Sequence, residues 1–112
     1  MSYTVQVTDT ASCDLKKIAV DIATSACDIS VGLDFVERIR DRLGTLSDYP
    51  YAGSLPQDDE LRTHGYRFLI YDDYLVFYTV NEGDRTVYIV AAFNAKADYT
   101  RVMRNFMRKK PI

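Results

Sequence analysis

Gly65-Tyr66-Arg67-Phe68-Leu69-Ile70-Tyr71-Asp72-Asp73-Tyr74-Leu75-Val76-Phe77-Tyr78 is the stretch around which the rest of this chain is organised. Two runs rich in aromatic and β-branched residues flank Asp72-Asp73, the composition of a β-hairpin closed by a two-residue turn. That turn opposes Tyr71 to Tyr74, Ile70 to Leu75, Leu69 to Val76, Phe68 to Phe77 and Arg67 to Tyr78. One face then holds Phe68, Ile70, Leu75 and Phe77, large apolar groups without a charge, and is expected to pack on helices. The other holds Arg67, Leu69, Tyr71, Tyr74, Val76 and Tyr78, and a five-residue loop at 81 to 85 would place Tyr88 and Val90 beside them. An aromatic face with one arginine suits recognition of phosphate and stacked bases if it stays open. It is plain core if the C-terminal helix folds over it.

Working outward, Tyr3, Val5 and Val7 alternate with Thr4, Gln6 and Thr8 as in a strand with one buried face. Thr8, Asp9 and Thr10 offer caps to a helix whose stripe is Leu15, Ile18, Ala19, Ile22, Ala23 and Ala26. A break around Asp28 to Gly32 precedes a second helix with Phe35, Val36, Ile39, Leu43 and Leu46 on one side, ending near Ser47 because Tyr49-Pro50 cannot continue it. Strands are expected at 61 to 71, 74 to 80 and 86 to 93. Asp98 is positioned to cap a last helix striped by Tyr99, Val102, Met103 and Phe106. The order β-α-α-β-β-β-α predicts an α+β fold, a helical hairpin on one face of a four-stranded, mainly antiparallel sheet. At 112 residues the chain is expected to form one domain spanning 1–112.

Charge is divided along the chain. Residues 1–60 carry 5 Lys/Arg against 11 Asp/Glu, and residues 61–112 carry 9 against 5, for a net −2. A basic partner surface would therefore be C-terminal, and Arg101, Arg104, Arg108, Lys109 and Lys110 could contact RNA or an acidic segment, unless they form an ordinary solvated helix face. The first six residues lack a basic start and an apolar run, and no segment approaches the roughly 20 apolar residues of a membrane span, so a soluble cytoplasmic protein is expected. Cys13 and Cys27 on one helix would stand about 21 Å apart, too far for a disulfide. His64 is the only histidine, which argues against a zinc site or a catalytic triad; no metal and no cofactor are expected. A near-neutral His64 beside Gly65 suits either proton transfer or an unremarkable turn.

Taken together, the residues resemble the toxins of bacterial RelE/ParE-type toxin–antitoxin modules over nearly the whole chain. The resemblance rests on the Thr4–Val7 strand followed by Asp14-Leu15 and Ile18, on Leu43 through Pro50 and Gly53, and on Leu61-Arg62 before Gly65-Tyr66-Arg67. Tyr74 through Tyr78, and Asp98-Tyr99 after the last strand, complete it. It implies a toxin wrapped by an extended or helical segment of a cognate antitoxin. RelE-like members cut ribosome-bound mRNA by in-line attack of a ribose 2′-oxygen, which needs cations and proton transfer at one phosphate and no metal. ParE-like members poison DNA gyrase instead. By resemblance, Arg67 is the phosphate clamp, Arg62 and Lys96 supporting cations, and Tyr99 the stacking or proton-transfer group. Ala97 follows Lys96 where relatives often carry a second cation, Ala91 stands at a frequent arginine position, and Asp58-Asp59-Glu60 replaces a lysine-rich run. The implied activity is a metal-independent endoribonuclease acting on ribosome-bound mRNA. The alternatives are a gyrase inhibitor, or an inactive module that keeps an antitoxin-docking face of Leu69, Tyr71, Tyr74, Val76 and Tyr78.

Overall fold

The computed structural model describes residues 2–109, so Lys110 lies outside the described residues. Its elements are β1 (Thr4–Val7), α1 (Asp9–Ala26), α2 (Ile29–Gly44) with a 3-10 turn at Thr45–Ser47, α3 (Asp59–Thr63), β2 (Arg67–Tyr71), β3 (Tyr74–Asn81), β4 (Thr86–Asn94) and α4 (Tyr99–Lys109). The sheet order is β1-β4-β3-β2, with β1 parallel to β4 and the other pairs antiparallel. The expected α+β order is present, with the short α3 added.

Local chemistry explains the boundaries. Thr8 caps α1 by accepting from the Ala11 N–H, and Cys27 ends it in the left-handed region at φ 53. Asp28 caps α2 through the Ser30 N–H at 2.9 Å. Helix α2 thus starts earlier than expected, and Gly32 lies inside it. A Cβ at Gly32 would stand 2.7 Å from the Ala19 carbonyl oxygen, so the missing side chain is what lets the two helices touch. Residues 61 to 66 are not strand as expected: Asp58 accepts from the Leu61 N–H at 3.1 Å, starting α3, and Gly65 at φ +84 turns the chain into β2.

The hairpin register is the expected one, Arg67 against Tyr78 through Tyr71 against Tyr74. The face assignment is reversed. The α1–α2 hairpin covers Leu69, Val76 and Tyr78, with Tyr71 and Tyr74 packed against the same cluster, alongside Ile18, Phe35, Ile39 and Leu43. Leu69, Val76 and Tyr78 are at most 4% exposed, and Phe35 meets the rings of Tyr71 and Tyr74 edge-on at 5.9 and 5.5 Å. Of the residues expected to form an open docking face, Leu69, Val76 and Tyr78 are core, and Tyr71 and Tyr74 are partly buried against it. Phe77, Leu75 and Phe68 lie on the opposite face, under α3 and α4, with Leu61, Tyr66, Met103 and Tyr99. Both faces of this sheet are apolar, so each acquired a helical layer.

Tyr88 and Val90 also sit on the Phe77 side, not beside Tyr78. Asn81 pairs with Thr86, so the loop is one residue shorter than expected, and Tyr78 meets Ile89 while Phe77 meets Ala91. Val90 is the extra residue of a β-bulge.

Candidate functional site

Arg67 opens β2 at the end of the sheet remote from the Tyr71–Tyr74 turn. Its Nη1 donates to the carbonyl oxygens of Tyr51 at 3.2 Å and Gly53 at 3.0 Å, and its Cζ lies 5.1 Å from the centroid of the Tyr51 ring. The same loop is stitched down at three more points. The Gly53 N–H donates to the buried Tyr78 hydroxyl at 2.8 Å, and Ser54 and Phe68 exchange backbone bonds of 2.8 and 3.0 Å. A side chain at residue 53 has no room, since its Cβ would lie 2.6 Å from the Tyr78 hydroxyl. Arg67 is therefore an anchor for the 51–54 loop, its charge spread onto carbonyl dipoles.

Beyond that loop lies a cluster that the residue pattern did not suggest. The hydroxyls of Tyr3 and Tyr51 both donate to the Glu82 carboxylate, Tyr3 at 2.7 Å, and the Arg85 guanidinium sits 4.4 Å above the Tyr3 ring. Glu82's bond pushes the Tyr51 hydroxyl up to about 12, and the two phenols hold the Glu82 carboxyl below its ordinary value. These partners come from the residue just before β1, the 51–54 loop and the β3–β4 turn. Sequence separations of 31 and 79 residues leave no local signal for such a cluster.

The other three proposed catalytic residues do not join Arg67. Tyr99 begins α4 on the opposite sheet face, its ring 5.5 Å from Phe68 and 5.6 Å from Phe77, and its hydroxyl accepts from the Gln57 N–H at 3.1 Å. Lys96 is exposed in the turn after β4, next to Ala95, whose N–H donates to the Asp73 carbonyl at 2.8 Å. That position is beside the β2–β3 turn, about 13 Å along the strands from Arg67. Arg62 lies on α3 and pairs with Asp59. Along α4, Arg104 grips Asp58 at 2.7 Å and approaches Glu60 at 3.4 Å, and its bond holds the Asp58 carboxyl low. The acidic run before Leu61 thus serves as the clasp for the last helix. His64 donates from Nδ1 to the Glu60 carbonyl at 2.8 Å and lines a cleft of about 960 Å³ with Tyr66, Tyr88 and Met107. None of Arg62, Arg67, Lys96 or Tyr99 lines that cleft.

No helix among the described residues is long and apolar enough to cross a membrane.

Residues 5–99 match the family model described as ParE toxin of the type II toxin–antitoxin system, parDE. No curated protein sequence matches significantly. Among solved structures, a chain of the RelBE2 toxin–antitoxin complex from Mycobacterium tuberculosis is 24% identical, with a TM-score of 0.60 over 84% of this chain and 99% of that one. A chain of the chromosomal ParDE system from P. aeruginosa is 17% identical, with a TM-score of 0.65 over 82% and 95%. A variant of the E. coli toxin RelE in the free state is 14% identical, with a TM-score of 0.61 over 94% and 98%. At these identities the structural likeness is one of fold.

Proposed function

This chain belongs to the ParE toxin family of type II toxin–antitoxin systems, and we propose that it arrests growth by binding a protein target, DNA gyrase, without cutting RNA, until a cognate antitoxin masks it. One observation carries the choice between the two activities. In-line cleavage needs cations and a proton-transfer group converging on one phosphate, each well-placed charge being worth about 3 to 4 kcal/mol of barrier. Here Arg67 is spent on the carbonyls of Tyr51 and Gly53. Tyr99 stands on the far side of the sheet with Phe77. Ala91 is buried in the sheet and Ala97 supplies no cation. A toxin that works by contact alone has no need of that convergence.

The test is induction without antitoxin. Growth should stop, cellular mRNA should stay intact by primer extension, and purified protein should alter gyrase supercoiling or trap broken DNA. Codon-phased breaks in mRNA together with unaffected gyrase would overturn the proposal in favour of ribosome-dependent endoribonuclease activity. Strong soluble expression with normal growth would favour the inactive binding module.

A further inference from the structure

The cleft of about 960 Å³ beside His64 has no part in the function proposed above. We infer that it is a receptor for an arginine side chain presented by a partner protein. The inference stands on the chemistry of this cleft alone and does not depend on gyrase being the target.

Thr79 and Tyr88, cross-strand partners on β3 and β4, lie along the sheet side of the cleft, with the buried Val90 beside them. His64 and Tyr66 enter from the junction of α3 and β2, Met107 from α4, and Asn81 and Glu82 from the end of β3 and the turn after it. Tyr66 is only 5% exposed, and its hydroxyl has no hydrogen-bond partner among the described residues. A phenol withdrawn this far from water ordinarily finds a partner, and here the open side is the cleft.

What the lining offers is mainly acceptors. With Nδ1 of His64 on the Glu60 carbonyl at 2.8 Å, Nε2 is left as an acceptor. Asn81 Oδ1 takes the Asp84 N–H at 3.2 Å and keeps a second lone pair. Glu82 receives Tyr3 on one carboxylate oxygen and Tyr51 on the other, so each oxygen can still accept once more. That carboxylate lines the cleft, and no lysine or arginine does. Arg85 stands over the Tyr3 ring, outside the lining, where its charge helps keep Glu82 ionised. The Tyr88 hydroxyl donates to Asp84 at 2.8 Å, which fixes the ring and sets a second carboxylate behind it. Acceptors, one negative charge and a fixed aromatic ring together select a planar cation rich in N–H donors. A guanidinium has that form, and its aliphatic stem would lie along Val90 and Met107.

A smaller hollow of about 270 Å³ shares His64 and Met107 with the cleft and is lined also by Glu60, Arg104 and Arg108. Its two cations oppose a second ammonium, which disfavours a free polyamine against a single cation carried on a neutral backbone. An anion in the main cleft would meet Glu82 with no lysine or arginine to offset it.

The test titrates N-acetyl-arginine amide into the full-length protein, followed by NMR of the histidine, tyrosine and methionine side chains. Saturable shifts should centre on His64, Tyr66, Tyr88 and Met107, with a Kd of roughly millimolar order for one side chain detached from its partner. The citrulline counterpart keeps the shape without the charge and should bind about tenfold more weakly or worse. Tyr66→Phe removes only a hydroxyl that lacks a partner, so the melting temperature should hold while affinity falls about threefold to tenfold. Glu82→Gln leaves an oxygen for the phenols and should weaken binding by about tenfold or more. Citrulline that binds as well as arginine overturns the inference, as does the lack of any saturable shift by roughly 50 mM. Wild-type affinity retained by both variants, within about twofold, places the ligand elsewhere and also overturns it. Spermidine or adenosine monophosphate binding here more than about tenfold tighter than the arginine amide would assign the cleft to a polyamine or a nucleotide instead. None of these outcomes bears on whether the protein arrests growth, so the toxin reading is tested separately.

Discussion

Arg67→Ala separates an anchor from a phosphate clamp. In the anchor reading the substitution removes two charge-assisted hydrogen bonds to the 51–54 loop, at 3.2 and 3.0 Å, and the guanidinium stacked on Tyr51. Fully withdrawn from water, hydrogen bonds of that type would contribute about 1.5 to 3 kcal/mol each, but Tyr51 is 48% exposed and water can replace part of the loss. Adding about 0.5 kcal/mol for the stacked ring gives a destabilisation near 2 kcal/mol. For a chain of 112 residues this corresponds to a fall of about 10 °C in melting temperature. Tyr78→Phe is the companion variant. It strips the Gly53 N–H of its acceptor inside the core and should cost about 1 to 3 kcal/mol without touching any cation. Because both variants free the same loop, their combined effect in urea and thermal unfolding should be less than additive. If Arg67→Ala keeps the wild-type melting temperature and still abolishes growth arrest, the guanidinium is doing chemistry or binding on its own, and the reasoning fails.

Gly32→Ala should destabilise by about 1 to 2 kcal/mol in urea unfolding despite the better helix propensity of alanine, since the new methyl meets the Ala19 carbonyl oxygen. Burial raises the Asp14 carboxyl above its ordinary value of 3.8, although the Ala92 N–H lowers it in part. The folded state therefore holds that proton more tightly than the unfolded chain, and this site's contribution to stability falls as pH climbs from 3.8 through the raised value. Asp14→Asn keeps an oxygen for the Ala92 N–H, so it should raise the melting temperature at neutral pH and do little well below 3.8. With the Glu82 carboxylate as its acceptor, Tyr51 should ionise only near 12 in an ultraviolet titration, and Glu82→Gln should return it toward 10.0.

Much of the architecture was legible in residue order because its causes are local. Alternation at Tyr3 to Val7, the cap at Thr8, and the Asp72-Asp73 turn each involve neighbours a few positions apart. The same logic misjudged residues 61 to 66, where Asp58 caps a short helix inside a stretch of strand-like composition. The site was far less legible. Lys96 and Tyr99 are close in the chain and Arg62 is close to Arg67, yet the sheet and the hairpin length keep them apart. Tyr3, Tyr51 and Glu82 carry no common motif and still converge.

Within the β2–β3 hairpin the sequence by itself determined which side chains share a face, because pleating alternates them regardless of what lies above or below. Only the tertiary structure decided which face the α1–α2 hairpin covers, since Leu69-Val76-Tyr78 and Phe68-Leu75-Phe77 are comparably apolar and either could have been the first to be buried. It also decided the use of Arg67, because the acceptors that hold its guanidinium are main-chain carbonyls at Tyr51 and Gly53, groups every residue possesses and no pattern of side chains can announce.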